Sequence, residues 1–208
     1  MPYITSGIPS FPVSRNSARG YPVLYLDFDG PLHPNEVYQT KKGIVLRAPG
    51  HELFENVPIL ESILEPYPTV RIVLSTSWVV ARGFQFARSQ LSPTLQERVI
   101  GATFHRRLMR KGEFTNMSRG MQIYSDSTRR NTGGWVALDD DNSDWPRACL
   151  DHLVCCDETL GLASEQTRRE LVSQLDALTQ LVASVNRGFS KDNQDIYGPL
   201  REHADITG

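Results

Sequence analysis

The feature that most constrains the fold is an apolar run that ends in two carboxylates. Residues 23–26 have the length and composition of a buried strand, and Asp27 and Asp29 follow directly. Gly30 and Pro31 then break the strand. Because side chains alternate along an extended chain, both aspartates project to the same side. Two like charges held this close are costly without a cation, so this strand end predicts a site for a hard metal such as magnesium.

Further strands alternate with helical segments along the rest of the chain, including a helical pattern that begins at His51 and a helical stretch from Trp78 to Arg88. We predict strands at residues 70–76, 99–104, 135–138 and 152–156. The alternation predicts an α/β fold, a doubly wound three-layer sandwich around a mostly parallel five-stranded sheet. The carboxyl ends of parallel strands open on one edge of the sheet, so the residues that follow the strands are candidates for a site.

Polar side chains end two of the other predicted strands. Ser75, Thr76 and Ser77 end the second strand, and Asp139 and Asp140 end the fourth. We expect these hydroxyls and acids to lie near the two aspartates of the first strand, because all three strands would end on the same edge.

Length and charge exclude several classes of protein. A chain of 208 residues is long enough for one substantial core. Its net charge of −2 argues against a surface that coats polyanions generally, although a local basic patch remains compatible. Three cysteines without a Cys-x-x-Cys spacing indicate neither a disulfide framework nor a zinc knuckle. No apolar run reaches membrane-spanning length, so we expect a cytoplasmic protein without a membrane partner.

We expect one catalytic domain at residues 21–186. Residues 1–20 are punctuated by Pro and Gly and predict a flexible arm, and residues 187–208 predict a polar tail. A hairpin at residues 37–47 would form a flap beside the acids. The longest predicted helix begins at Ser164, which would cap it.

A basic segment at residues 105–111 follows the third predicted strand. It is either a solvated loop or, because it lies on the same edge as the acids, a surface that receives an extended anionic substrate. A helix that Ser118 could cap then begins at Arg119.

These residues resemble the haloacid dehalogenase-like (HAD) superfamily, whose hydrolases use an aspartate nucleophile on a Rossmann-like core. Four segments between residues 22 and 145 carry the resemblance in the superfamily's order: Asp27-Phe28-Asp29-Gly30, Ser75-Thr76, a basic residue near a helix start, and Asp139-Asp140. The strings Leu-Ser-Thr-Ser-Trp and Leu-Asp-Asp-Asp further resemble a bacterial and phage branch related to RNA-repair HAD domains.

The resemblance implies a phosphatase that works through an aspartyl-phosphate. Asp27 would attack phosphorus, and Asp29 would protonate the leaving oxygen and later deprotonate the water. Thr76 would hydrogen-bond a phosphoryl oxygen. Arg119 or Lys111 would stabilise the charge on the transferred group. Arg119 is at a helix start, whereas Lys111 has the residue type that is commoner in this role, so both remain candidates.

The resemblance also implies a metal site and a phosphate site. Mg²⁺ would be held by Asp27, the main-chain carbonyl of Asp29, and Asp139 or Asp140.

Substrate-binding candidates are Ser75, Ser77 and Gly30. Either serine could replace Thr76 as the phosphate ligand or simply cap the next helix. His33 follows the acids closely, but a lone loop histidine is usually a surface residue, so we expect no role for it.

Structural interpretations of the same segments stay open at this point. Asp and Gly favour turns, so the first segment could be a turn, and residues 139–141 could be a solvated acidic turn.

The short spacing between the first two segments implies a capless or minimally capped enzyme. An open site favours phosphorylated nucleic-acid ends or another bulky phosphoester over a small metabolite. Two alternatives remain, a phosphotransferase of the same chemistry and a catalytically idle relative that binds a phosphorylated partner.

Overall fold

The structure is a computed structural model that describes residues 20–40 and 43–196. The predicted arm, apart from Gly20, and residues 197–208 of the predicted tail lie outside this part of the chain. The strands are Pro22–Leu26 (β1), Val37–Thr40 (β2), Gly43–Leu46 (β3), Arg71–Leu74 (β4), Val99–Ala102 (β5), Gly134–Asp139 (β6) and Leu153–Cys155 (β7). The α-helices are Val57–Leu64 (α1), Ser77–Arg82 (α2), Phe84–Ser89 (α3), Pro93–Arg98 (α4), Lys111–Thr115 (α5), Arg119–Arg130 (α6) and Glu165–Ile196 (α7). Short 3-10 helices at Arg147–His152 and Gly161–Ala163 complete the described elements.

Five strands form one parallel sheet in the order β5-β4-β1-β6-β7. β1 lies at the centre and is buried along its whole length, which explains why its sequence is continuously apolar and does not alternate. Helices flank the sheet, so the predicted α/β architecture is confirmed.

Alternate residues of the central strand enter two separate cores. Leu24 and Leu26 belong to a cluster that includes buried residues of α1 and α7. Val23 and Tyr25 belong to a second cluster with Ile123 of α6. The sheet is therefore covered on both faces, which leaves its edges and the ends of its strands as places for a site.

The register of the sheet brings the strand ends level with each other. Leu26 pairs with Leu74 of β4 and with Leu138 of β6. The ladder continues one step further, because the amide of Ser75 donates to the Leu26 carbonyl at 2.8 Å and the amide of Asp27 donates to the Leu138 carbonyl at 3.1 Å. The residues that follow β1, β4 and β6 therefore lie side by side.

Left-handed backbone conformations alter two of the predicted helices. Phe54 has a φ of 64°, so α1 begins at Val57 and not at residue 51 as its apolar period indicated. Gly83 has a φ of 94° and divides the helical stretch predicted at residues 78–88 into α2 and α3.

Other predicted elements occur where the sequence placed them. β2 and β3 pair in antiparallel fashion within the predicted flap at 37–47. Ser164 precedes α7, and its hydroxyl accepts a hydrogen bond from the amide of Thr167 at 3.4 Å. α7 continues to Ile196, beyond the predicted domain boundary at residue 186. Within the described part of the chain, no helix is long and apolar enough to cross a membrane.

Candidate active site

Asp27 is the buried carboxylate at the end of the central strand. Only 3% of the Asp27 surface is exposed to solvent. One oxygen, Oδ1, accepts a hydrogen bond from the amide of Phe28 at 2.7 Å, and the other, Oδ2, accepts one from Arg119 Nη2 at 2.9 Å. Burial raises the pKa of Asp27 well above its usual range, while the Arg119 guanidinium opposes this effect. The ionised form of Asp27 therefore depends on nearby positive charge.

Arg119 connects the ends of three strands. It is the first residue of α6, and Ser118 lies at the N-cap position in an extended conformation without a side-chain capping bond. Besides Asp27 of β1, the guanidinium donates to the carbonyl of Ser75 after β4 and lies 3.2 Å from Asp139 Oδ2 of β6. Burial alone would lower the pKa of Arg119, but the surrounding aspartates raise it, so the side chain stays charged.

A potential metal site lies beside this ion pair. Carboxylate oxygens of Asp27, Asp139 and Asp140 all lie within 4.8 Å of one another. Asp139 Oδ1 accepts a hydrogen bond from the amide of Asp141 at 3.1 Å. Asp139 Oδ2 is buried and lies in an ion pair with Arg119, but it accepts no hydrogen bond from the described residues. A buried carboxylate oxygen without a hydrogen bond can accept a further partner, and a hard cation would suit it.

The position of Asp140, the third acid of this site, depends on Gly30. Gly30 has a φ of 86°, and a Cβ built on it would lie 2.5 Å from Cγ of Asp140. Asp140 is further held by Asn35, whose Nδ2 donates to Asp140 Oδ2 at 2.7 Å. Gly30 therefore permits the close approach of Asp140, and its predicted role in binding substrate stays a prediction.

Asp29 is held by three side-chain donors. Trp78 Nε1 donates to Asp29 Oδ1 at 2.9 Å, His33 Nε2 lies 3.2 Å from the same oxygen, and Ser77 Oγ donates to Asp29 Oδ2 at 3.3 Å. The Asp29 side chain is 17% exposed, so it reaches solvent while its orientation is fixed.

The expectation that His33 is a surface residue is wrong. His33 is fully buried because the chain turns back after β1, with the Leu32 amide donating to the Phe28 carbonyl at 3.0 Å. Its Nδ1 accepts a hydrogen bond from the amide of Phe54 at 3.3 Å, which assigns the proton to Nε2 and makes His33 a donor to Asp29. The one sequence signal for this role was the short spacing between Asp29 and His33 across a Gly-Pro turn.

The three predicted hydroxyls have different surroundings. Thr76 is buried, and its Oγ1 accepts a hydrogen bond from the amide of Trp78 at 3.3 Å as the N-cap of α2, which leaves its hydroxyl proton free to donate. Ser75 Oγ is buried without a hydrogen-bond partner among the described residues. Ser77 is exposed and contacts Asp29. Thr76 and Ser77 line a cleft of about 390 Å³ together with Arg119.

A comparison with protein families gives one match that covers most of the chain. Residues 23–167 match the family described as the HAD domain in Swiss Army Knife RNA repair proteins. The chain belongs to this family. The match confirms the predicted resemblance to the HAD superfamily and to its RNA-repair branch, and it indicates phosphohydrolase-type chemistry for this HAD domain. No curated protein matches the chain significantly.

The two cations that the sequence left as alternatives lie in different places in this HAD domain. Arg119 contacts Asp27 directly. Lys111 begins α5, is exposed, and forms no ion pair with a described carboxylate, but it lines the same cleft as Thr76 and Ser77. The structure therefore brings Arg119 to the buried acids and leaves Lys111 at the wall of the cleft.

The HAD domain is minimally capped, as predicted. Between β1 and β4 the described residues form the β2–β3 hairpin and α1, and no separate domain lies between them. The hairpin carries an exposed Tyr38, whose ring lies 4.7 Å from the Arg47 guanidinium carbon. None of the described residues of this hairpin lines the cleft beside Arg119.

Proposed function

We propose that this HAD domain is a magnesium-dependent phosphatase that acts through an aspartyl-phosphate intermediate on phosphorylated nucleic-acid ends. The observation that carries the proposal is the position of Asp27, a buried carboxylate held between Arg119 and a cluster of two further aspartates.

In the first step, an oxygen of Asp27 attacks phosphorus while the bond to the leaving oxygen breaks. Burial removes competing water from Asp27, and its contacts with Arg119 and the Phe28 amide fix its direction. The same guanidinium is placed to stabilise the charge on the transferred phosphoryl group. Thr76 can donate its hydroxyl proton to one phosphoryl oxygen.

Asp29 moves the protons of both steps in this proposal. It gives a proton to the leaving oxygen, and in the second step it takes a proton from the water that hydrolyses the aspartyl-phosphate. Ser77 can donate to Asp29 or accept from it, so their contact is compatible with both protonation states. Trp78 and His33 keep the carboxylate oriented through both steps.

The residues present fit a magnesium ion. Asp27, Asp139 and Asp140 would hold it together with the main-chain carbonyl of Asp29, and the absence of a hydrogen bond to Asp139 Oδ2 from the described residues supports this assignment. Bound there, magnesium would offset the charge between the carboxylates and the phosphate.

Two observations support a macromolecular substrate. No separate domain lies between β1 and β4 in the described residues to cover the cleft beside Arg119, and the family is described by its occurrence in RNA repair proteins. Both favour the phosphorylated end of a nucleic acid over a small metabolite.

The proposal is tested by phosphate release with and without Mg²⁺ from 3′- and 5′-phosphorylated oligonucleotides, phosphopeptides and sugar phosphates. We expect magnesium-dependent release from oligonucleotides that Asp27→Asn abolishes. Equal release by the wild type and Asp27→Asn would refute the mechanism. Transfer of the phosphate to an added alcohol in place of water would instead identify a phosphotransferase.

A further inference from the structure

A second, larger cleft of about 810 Å³ lies beside the cleft at Arg119. The two clefts share Val80, Ala81 and Lys111 in their walls. The larger cleft is rich in cations, namely Arg82, Arg106, Arg107, Arg110 and Lys111, which we call the cationic groove. Among the described residues that line it, Glu113 is the one acid. The groove therefore leads away from the catalytic centre along a strongly positive wall.

The charges of the groove are not neutralised within the described part of the protein. Glu113 accepts a hydrogen bond from the backbone amide of Arg110 at 3.4 Å, so its carboxylate is directed to the start of α5. No ion pair in the described residues joins Arg106, Arg107 or Arg110 to a carboxylate. In a chain with a net charge of −2, such a concentration of unpaired cations makes a local positive potential.

The turn that carries two arginines of the groove is hydrogen-bonded and packs against α5. Arg106 and Arg107 lie in a turn after β5, where the amide of Leu108 donates to the carbonyl of His105 at 2.9 Å. The ring of Phe104, just before this turn, packs on Phe114 of α5 with 5.0 Å between ring centroids. The turn and α5 are thus fixed to each other by a buried contact.

Two further residues line the groove, Arg82 at the end of α2 and Leu108 in the turn. The guanidinium carbon of Arg82 lies 4.7 Å from the centre of the Phe86 ring, an arrangement that holds the charge by a cation–π interaction. Leu108 is 60% exposed between the arginines and offers an apolar surface to a nucleobase. The groove therefore presents an exposed apolar side chain among its charges.

We infer that the cationic groove binds the phosphodiester backbone of a single-stranded nucleic acid whose phosphorylated end occupies the active site. The placement of that end rests on the proposed function, whereas binding of the strand does not. A nucleic-acid strand carries one negative charge per nucleotide and so matches a row of arginines. A phosphopeptide with a single phosphate would leave most cations of the groove without a partner.

Binding is tested by fluorescence anisotropy of the full chain with a fluorescein-labelled decauridylate that has no terminal phosphate, over a series of KCl concentrations. Each arginine that contacts a phosphate contributes about 0.7 to the slope of log K against log salt for a single strand. The triple change Arg106→Ala, Arg107→Ala and Arg110→Ala is therefore expected to lower the slope by about 2 and to weaken binding at least tenfold.

Two further variants control this result. Arg106→Lys, Arg107→Lys and Arg110→Lys together keep the charge and are expected to keep most of the salt slope. Arg71→Ala removes a positive charge at the start of β4, at the opposite end of the sheet, and is expected to bind like the wild type. The same titration with decathymidylate distinguishes RNA from DNA as the source of the strand.

Equal affinity and equal salt slope for the wild type and the triple alanine variant would overturn the inference. So would binding of a phosphopeptide without binding of the oligonucleotide. Since the oligonucleotide has no terminal phosphate and no turnover is measured, groove-dependent binding without phosphatase activity would refute the proposed function alone. Phosphatase activity on oligonucleotides that the triple alanine variant leaves unchanged would refute the groove alone.

Discussion

Removal of Arg119 should destabilise the protein in a way that depends on magnesium and on pH. Arg119→Ala leaves Asp27 and Asp139, which are 3% and 1% exposed, without the guanidinium that lies between them. Breaking a buried ion pair in this way costs roughly 3–5 kcal/mol. We expect the lower end of that range, because the Arg119 side chain is itself 22% exposed. For a domain of this size, ~3 kcal/mol corresponds to a fall in Tm of roughly 6–12 °C.

The loss should shrink when another positive charge or a proton reaches the acids. An ion at 100 times its Kd stabilises the folded state by about 2.7 kcal/mol. Saturating Mg²⁺ should therefore raise the Tm of Arg119→Ala most of the way to that of the metal-free wild type. Burial raises the pKa of Asp139 to about 6 and that of Asp27 above its usual range. Acids with a raised folded-state pKa destabilise the fold when they are ionised, so the variant should regain stability as the pH falls from 7 to 5.

Thermal melts of the wild type and variants at pH 7 and pH 5, with and without MgCl₂, measure these effects. Arg119→Lys keeps the charge but loses the planar donor set, so its Tm should lie between those of the wild type and Arg119→Ala. Arg169→Ala removes one partner of an exposed pair with Glu165 and should change stability by at most about 0.5 kcal/mol. Equal shifts for Arg119→Ala and Arg169→Ala, with no response to Mg²⁺, would refute the reasoning.

Two further predictions concern the residues around the acids. Gly30→Ala should destabilise the fold and weaken magnesium binding in isothermal titration calorimetry, because its Cβ would lie 2.5 Å from Asp140 Cγ. Gly50→Ala is a matched control, since its φ of 85° is nearly the same as that of Gly30 and nothing lies within 4 Å, so equal losses would contradict the role of Asp140. His33→Phe removes a donor to Asp29 and leaves the Phe54 amide without its partner, which costs about 1–3 kcal/mol. It should lower kcat for phosphate release more than it changes KM, whereas a change in KM alone would exclude a positioning role.

The sequence alone could predict the sheet and the meeting of the acids. The first, second and fourth predicted strands end in acids or hydroxyls, and parallel strands must end on one edge, so Asp27, Ser75 and Asp139 could be placed together without coordinates. The choice between Arg119 and Lys111 could not be made in this way. Both begin helices, and their distances from Asp27 depend on how α5 and α6 pack against the sheet.

The contacts of Asp29 could not be predicted from the sequence for a related reason. The burial of His33 depends on the turn after β1, and the hydrogen bond from Phe54 depends on a left-handed conformation that few non-glycine residues adopt. The basic segment at 105–111 was visible as a run of charge, but its union with Arg82 into one groove required the packing of α2 beside the turn after β5. Both the contacts of Asp29 and the shape of the groove therefore depend on long-range packing, which local sequence patterns do not specify.

The most direct test of the account is to locate the phosphoryl group during turnover. Acid-quenched protein, incubated with a phosphorylated oligonucleotide and Mg²⁺, would be digested with protease and analysed by mass spectrometry. The aspartyl-phosphate mechanism predicts a phosphoryl group on Asp27 in the wild type and no such adduct in Asp27→Asn. A phosphoryl group on another residue, or an Asp27→Asn variant that turns over as fast as the wild type, would contradict it.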